Sequence, residues 1–167
     1  MIVLGIDPGT AIMGYSFLEF SQQTTVLDYG VLRTPANLEP HLRLNQLYDS
    51  LEQLIATYRP DCLAIESLFF NKNVKTALSV GEARGVALLA AARNGLAVYE
   101  YTPLQVKLAV TGQGRAAKEQ VGYMVKALLK LKSIPTPDDA CDALAVALCH
   151  QYANQGLALI SKEGKGR

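Results

Sequence analysis

The sequence has no apolar run approaching the roughly 18 uninterrupted residues that a membrane-spanning helix needs, and no basic region ahead of its short first apolar run. A cytoplasmic protein with no membrane attachment is the expectation. Cysteine is scarce. Cys62, Cys141 and Cys149 are odd in number and lack C-x-x-C spacing, which leaves a disulfide framework and a zinc site without support and predicts reduced, mostly buried thiols. Net charge is almost absent as well, +1 over 167 residues, and that total by itself argues against a polyanion partner.

The distribution of charge argues the other way. Residues 1–70 carry a net −5, residues 71–118 a net +5 and residues 119–167 a net +1. An acidic segment beside a basic one suggests a carboxylate site next to a phosphate-binding surface, although any single lysine is more economically read as part of a solvated face. With half its residues hydrophobic and 19% charged, a chain of this length suits one globular domain. That domain is expected over 1–155, with a disordered basic tail over 156–167.

What is present begins at the first strand. Ile2 to Ile6 is a short β-branched apolar run, Asp7 follows it, and Pro8-Gly9 turns the chain back into a second strand. An Asp before Pro-Gly also reads as an Asx-type turn, so this acid needs partners to mean more. Strands over 12–19 and 24–33 complete an antiparallel meander. From Pro40 apolar residues recur three and four apart through Tyr58, which predicts an amphipathic helix ended by Arg59-Pro60-Asp61. Cys62 to Ile65 is a further strand, and Glu66 stands at its end as Asp7 does at the first. A strand reached through a helical crossover pairs in parallel, which would bring both acids to one sheet edge. Glu66 as the cap of the next helix is the competing reading.

Phe69 and Phe70 then share a loop with Lys72, an arrangement suited to base stacking. A helix rich in small residues spans 74–94, with a fifth strand over 97–101 and a short helix from Pro103 that bears Lys107. Thr111-Gly-Gln-Gly-Arg115 is a flexible link to a helix with Lys118 in its first turn, where a cation opposes the helix dipole unless an anion is near. The last helix, predicted from Pro137 to about Gln151, opens with Asp138, Asp139 and Asp142. The dipole accounts for one or two of these acids, and both the 139/142 and 138/142 pairs share a helix face. Acids at two strand ends and a further pair on a helix are the donor set two Mg²⁺ ions need for in-line hydrolysis of a phosphodiester.

These residues resemble the RuvC family of crossover junction endonucleases. The resemblance runs from Ile2 to about Tyr152 and rests on Leu4-Gly-Ile-Asp-Pro-Gly9, Ala64-Ile-Glu66, Phe69, Lys72-Asn73, Ala83-Arg-Gly-Val-Ala87, Glu100-Tyr101, Gln105-Val-Lys107 and Asp139-Ala-Cys-Asp-Ala-Leu-Ala145. It implies an α/β fold of the ribonuclease H type, with a mixed five-stranded sheet flanked by helices. It places the catalytic, metal-holding carboxylates at Asp7, Glu66, Asp139 and Asp142, choosing Asp139 over Asp138 where spacing left both open. It further implies two Mg²⁺ per active site, with Mn²⁺ able to substitute, and a homodimer that resolves four-way DNA junctions by paired symmetric nicks. The small-residue helix would lie at the dimer interface, and RuvA-RuvB would be the partner complex. Phe69, Lys107 and Lys118 match DNA-contacting positions, and Lys72 and Arg115 are expected to join them. Gly5 to Thr10 also resembles the first phosphate loop of actin-like ATPases, but their second phosphate loop and two-domain length are missing. A junction-binding protein without activity would be marked by a lost acid, and all four are present.

Overall fold

The structure, a computed structural model, describes residues 1–67 and 74–163, and side-chain surroundings for 1–67 and 77–154. Phe69 and Lys72 therefore lie outside the described residues. The elements are β1 (Ile2–Asp7), β2 (Ile12–Phe20), β3 (Thr24–Arg33), α1 (Pro40–Tyr58), β4 (Cys62–Glu66), α2 (Val74–Arg93), β5 (Ala97–Tyr101), α3 (Pro103–Thr111), α4 (Lys118–Leu128) and α5 (Asp138–Glu163). One five-stranded sheet has the order β3-β2-β1-β4-β5. Its first three strands are antiparallel neighbours, while β4 runs parallel to both β1 and β5. This is the mixed sheet the sequence predicts, and both crossovers that reach a parallel strand are helical.

Alternation along the strands sorts the side chains onto two cores. Leu4, Ile6, Leu63 and Ile65 face α1 and α2, where Leu47, Leu51, Ile55, Ala83, Ala87 and Ala90 meet them. Val3, Cys62 and Ala64 face the other way, onto α3, α4 and α5. Asp7 and Glu66 have the same parity as Val3 and Cys62, so both carboxylates point to the α5 side. Among the described residues no helix is long and apolar enough to cross a membrane.

The last helix departs from the sequence reading. It runs to Glu163 rather than ending near Gln151, and so enters the stretch expected to be a disordered tail; residues 164–167 lie outside those described. Tyr152 and Ala153 pack on the core, so the helix is held by tertiary contact past Gln151, and Asn154 hydrogen-bonds within the helix to His150, four residues back, at 2.8 Å. Nearly every residue from Ala140 to His150 is buried, as expected for a helix apolar on all sides.

Candidate active site

Two glycines set how closely α5 lies on the sheet. Asp7 pairs across the β1-β2 ladder with Gly14, and Gly5 pairs with Ser16, and such opposed residues share a face. A Cβ on Gly14 would collide with the carbonyl oxygen of Asp139, and one on Gly5 with that of Ala143. Ser16 donates its hydroxyl to the same Ala143 carbonyl at 2.9 Å. Asp139 and Ala143 are four apart, on one helix face. The bare glycines thus seat the first turns of α5 directly over the end of β1 that carries Asp7.

The β1-β4 register, with Ile6 opposite Ile65, puts Asp7 and Glu66 side by side where their strands end. Four acids from three elements meet there. Burial first, and then the charges of Glu66, Asp142 and Asp139, push Asp7 up from the ordinary 3.8 to about 8, and Asp7 is hydrogen-bonded to Glu66. Burial and Asp142 raise Glu66, with Lys107 and Lys118 opposing. Burial also raises Asp142, again against Lys118. Burial and the neighbouring acids therefore favour holding a proton on Asp7 in the metal-free protein.

Lys118 opens α4 with no side-chain cap at Ala117. Its ammonium, out of place at a helix N-terminus, is held by Asp142 at 3.1 Å and Asp138 at 3.4 Å. Burial works against its charge, but the two carboxylates outweigh burial and raise its pKa. Lys107 is positioned by α3, whose start is fixed by a reciprocal cap between Thr102 and Gln105. A cleft of about 140 Å³ is lined by Glu66, Asp142, Lys107 and Lys118 with apolar walls from Val106, Val121 and Val146. It places two cations and two of the acids around one opening large enough for a phosphate group.

The family model for the crossover junction endodeoxyribonuclease RuvC matches residues 3–150. The chain belongs to the RuvC family. It is 58% identical over 151 residues to the RuvC crossover junction endodeoxyribonuclease of Desulforamulus reducens, covering 90% of this chain and 93% of that one. Among solved structures, Thermus thermophilus RuvC matches with a TM-score of 0.86 at 36% identity, covering 93% of this chain and 97% of that one. The same protein in complex with a Holliday junction substrate gives 0.85 at 33% identity, with 93% and 96% covered. The fold is thus of the ribonuclease H type and the family is one of nucleases.

For a RuvC nuclease the geometry sorts the residues singled out in the sequence. Asp7, Glu66, Asp139 and Asp142 are brought together, with Lys107 and Lys118 at their edge. Asp138 is drawn outward to Lys118. Arg115 is exposed in the turn before α4 and does not line the cleft. Two other members of the basic segment are engaged elsewhere: Arg84 pairs with Glu100 at 2.6 Å, and Arg93 lies 6.0 Å above the Tyr48 ring. The donor set is all carboxylate oxygen, which suits Mg²⁺ or Mn²⁺, and the raised acids show negative charge crowded beyond what Lys118 neutralises. Among the described residues, no three acid, histidine or cysteine side chains stand close enough to hold a metal ion as they are.

Sequence reasoning missed the support behind Glu66. Its parallel neighbour is Tyr101, whose hydroxyl lies 2.8 Å from His150 Nδ1, while His150 Nε2 lies 2.8 Å from Asn154 Nδ2. Burial lowers the His150 pKa, so this inner hydrogen-bonded chain is neutral and ties β5 to α5. A lone histidine in an apolar helix gave no sign of it.

The protonated Asp7 makes a testable statement about stability. Its folded pKa of about 8 lies above the ordinary 3.8. Without metal its stabilising term is therefore complete below that ordinary value and is lost as pH rises toward 8. Asp7→Asn removes the term. Melting metal-free wild type and variant side by side should show the variant gaining relative stability as pH rises, up to about pH 8. A gap that stays constant with pH would contradict this reading of Asp7.

Proposed function

We propose that this chain resolves four-way DNA junctions by paired symmetric nicks in recombination and repair, hydrolysing phosphodiesters with two metal ions held by Asp7, Glu66, Asp139 and Asp142. The observation that carries the reading is the meeting of these four carboxylates, from β1, β4 and α5, with a cleft lined by Lys107 and Lys118. When bound, the two cations supply Lewis-acid chemistry, activating a water and stabilising the leaving oxygen. Asp7 gives up its proton to serve as a ligand. Lys107 and Lys118 draw the phosphate to an edge that the acids alone would repel. Mg²⁺ is the metal proposed, with Mn²⁺ as substitute. Incubation of a labelled mobile four-way junction with the protein and Mg²⁺ tests the function. Symmetric cuts in two like strands, leaving 5′-phosphate and 3′-hydroxyl ends, are the expected result; an uncut junction, or equal cutting of linear duplex, would refute it.

Lys107→Ala and Lys118→Ala should each weaken junction binding and lower its log-log salt slope by about one unit per lost phosphate contact, with the larger loss of cutting at Lys118. Unchanged salt slopes and unchanged cutting would return both lysines to the solvated face.

Symmetric cutting calls for a two-fold dimer. The described part of α2 supports one: Ala83, Ala87, Ala90 and Ala91 face the core, while Leu78, Gly85 and Leu89 are exposed, and the edge strand β5 leaves Val98 exposed as well. A Cβ at Gly85 meets nothing within 4 Å, so Gly85→Leu should leave the subunit folded while weakening the dimer. Light scattering with circular dichroism checks both halves, and wild type that stays monomeric with and without junction DNA would overturn the dimer. Cytoplasmic action, and association with RuvA-RuvB at the junction, belong to the same reading.

A further inference from the structure

The acid cluster has a second side. Asp139 does not share the cleft of Lys107 and Lys118. It borders an open groove of about 490 Å³ whose other walls include Gly9, Thr10, Ser79, Val80 and Arg43. Arg43 belongs to the acidic first segment of the chain and stands in the first turns of α1, on the core side opposite α4 and α5. Its position is fixed through a relay of hydroxyls. Arg43 Nε donates to Thr34 Oγ1 at 2.8 Å, Thr34 donates to the carbonyl of Thr10 at 2.7 Å, and Thr10 Oγ1 lies 2.6 Å from both the carbonyl and the hydroxyl oxygen of Ser79. Thr10 and Thr34 are buried and Arg43 is half-buried. The relay ties the β1-β2 turn, the end of β3, α1 and α2 to one guanidinium. It uses Nε and leaves the Nη fork, the part of arginine shaped for two oxygens of a phosphate. Among the described residues no carboxylate pairs with Arg43.

We propose that Arg43 is a second backbone-phosphate site, holding the cut strand on the Asp139 side of the scissile bond as Lys107 and Lys118 hold it on the other. A strand crossing the acids has to enter and leave past negative charge. A half-buried arginine kept from pairing with those acids offsets that repulsion where the lysines do not reach. The side chain's remaining freedom is already spent on the Thr34 bond, so little more is lost when a phosphate arrives. This inference rests on the proposed junction-cutting reading and adds which strand segment is gripped.

The test measures junction binding by wild type, Arg43→Ala and Arg43→Lys in EDTA over a range of salt, with melting temperatures taken alongside. It is repeated on junctions carrying one neutral methylphosphonate at successive positions flanking the cut. Arg43→Ala should bind about tenfold more weakly at low salt, as expected for a lost charge-assisted bond, with a salt slope lower by about one. Arg43→Lys should keep the slope and recover part of the affinity. One methylphosphonate, on one side of the cut only, should weaken wild type and Arg43→Lys but leave Arg43→Ala unaffected, an outcome that a purely structural role for Arg43 would not give. If wild type binds and cuts while Arg43→Ala keeps its salt slope and responds to every methylphosphonate as wild type does, the phosphate site is wrong and the junction reading stands. If wild type neither binds nor cuts the junction, the functional reading falls and this site with it.

Discussion

Asp7→Asn protein is expected to bind a four-way junction at least as tightly as wild type and to cut it about a thousandfold more slowly or worse. The substitution keeps shape and volume, so the seat of α5 over Gly14 is undisturbed, but it removes the carboxylate that stands among Glu66, Asp139 and Asp142. An amide holds Mg²⁺ poorly beside a carboxylate, and the several kcal/mol of transition-state stabilisation that metal supplies correspond to three or more powers of ten in rate. Binding should survive because the proposed phosphate contacts, at Lys107, Lys118 and the groove beyond Asp139, are untouched and one acid fewer repels the strand. Glu66→Gln and Asp142→Asn should follow the same pattern, while Asp138→Asn should not, since Asp138 faces out to Lys118. Single-turnover cleavage by Asp7→Asn near the wild-type rate would remove Asp7 from the centre.

The second large effect is structural. Gly14→Val should lower the melting temperature by roughly 10 °C and abolish cutting, because its Cβ has nowhere to go but into the backbone of Asp139. Backbone at a helix start cannot yield as a flexible side chain can, so α5 has to lift from β1. Overpacking of this kind costs about 3 kcal/mol, and for a protein of this size each kcal/mol moves the midpoint by a few degrees. Lifting α5 also carries Asp139 and Asp142 away from Asp7 and Glu66. The informative comparison is Gly85→Leu, a glycine change in open space that leaves the subunit fold alone. Calorimetry that finds Gly14→Val as stable as wild type would mean that α5 is not seated by that glycine.

Short apolar runs ending in an acid, once for Asp7 and once for Glu66, with a helical crossover between them, pointed to two carboxylates at one sheet edge, and the pairing of β4 beside β1 decided it against Glu66 as a helix cap. The boundaries of β4 and β5 were legible from their short apolar runs, whereas the strand order β3-β2-β1-β4-β5 came only with the structure. The choice between Asp138 and Asp139 was not, since both share a face with Asp142 and only the resemblance selected one. Pairing with Lys118 does not separate them, since Asp142 makes it too; what differs is that the charge of Asp139, and not that of Asp138, is felt by Asp7. The end of α5 was misread because Tyr152 and Ala153 hold the helix through tertiary contacts that no local pattern carries. Arg43, Thr10, Thr34 and Ser79 went unnoticed because their relay joins four distant segments, each bland alone. The roles of Phe69 and Lys72 fall outside the described residues.

The central claim, that Asp7, Glu66, Asp139 and Asp142 together hold the metal that cuts DNA, is tested most directly by anomalous diffraction from crystals of the protein grown with a four-way junction and Mn²⁺ under conditions that block turnover. The account predicts two manganese peaks per active site, ligated by these four carboxylates and a phosphate oxygen of the junction, with Asp138 outside the ligand set. Manganese bound elsewhere, or held by Asp138 in place of Asp139, would contradict it.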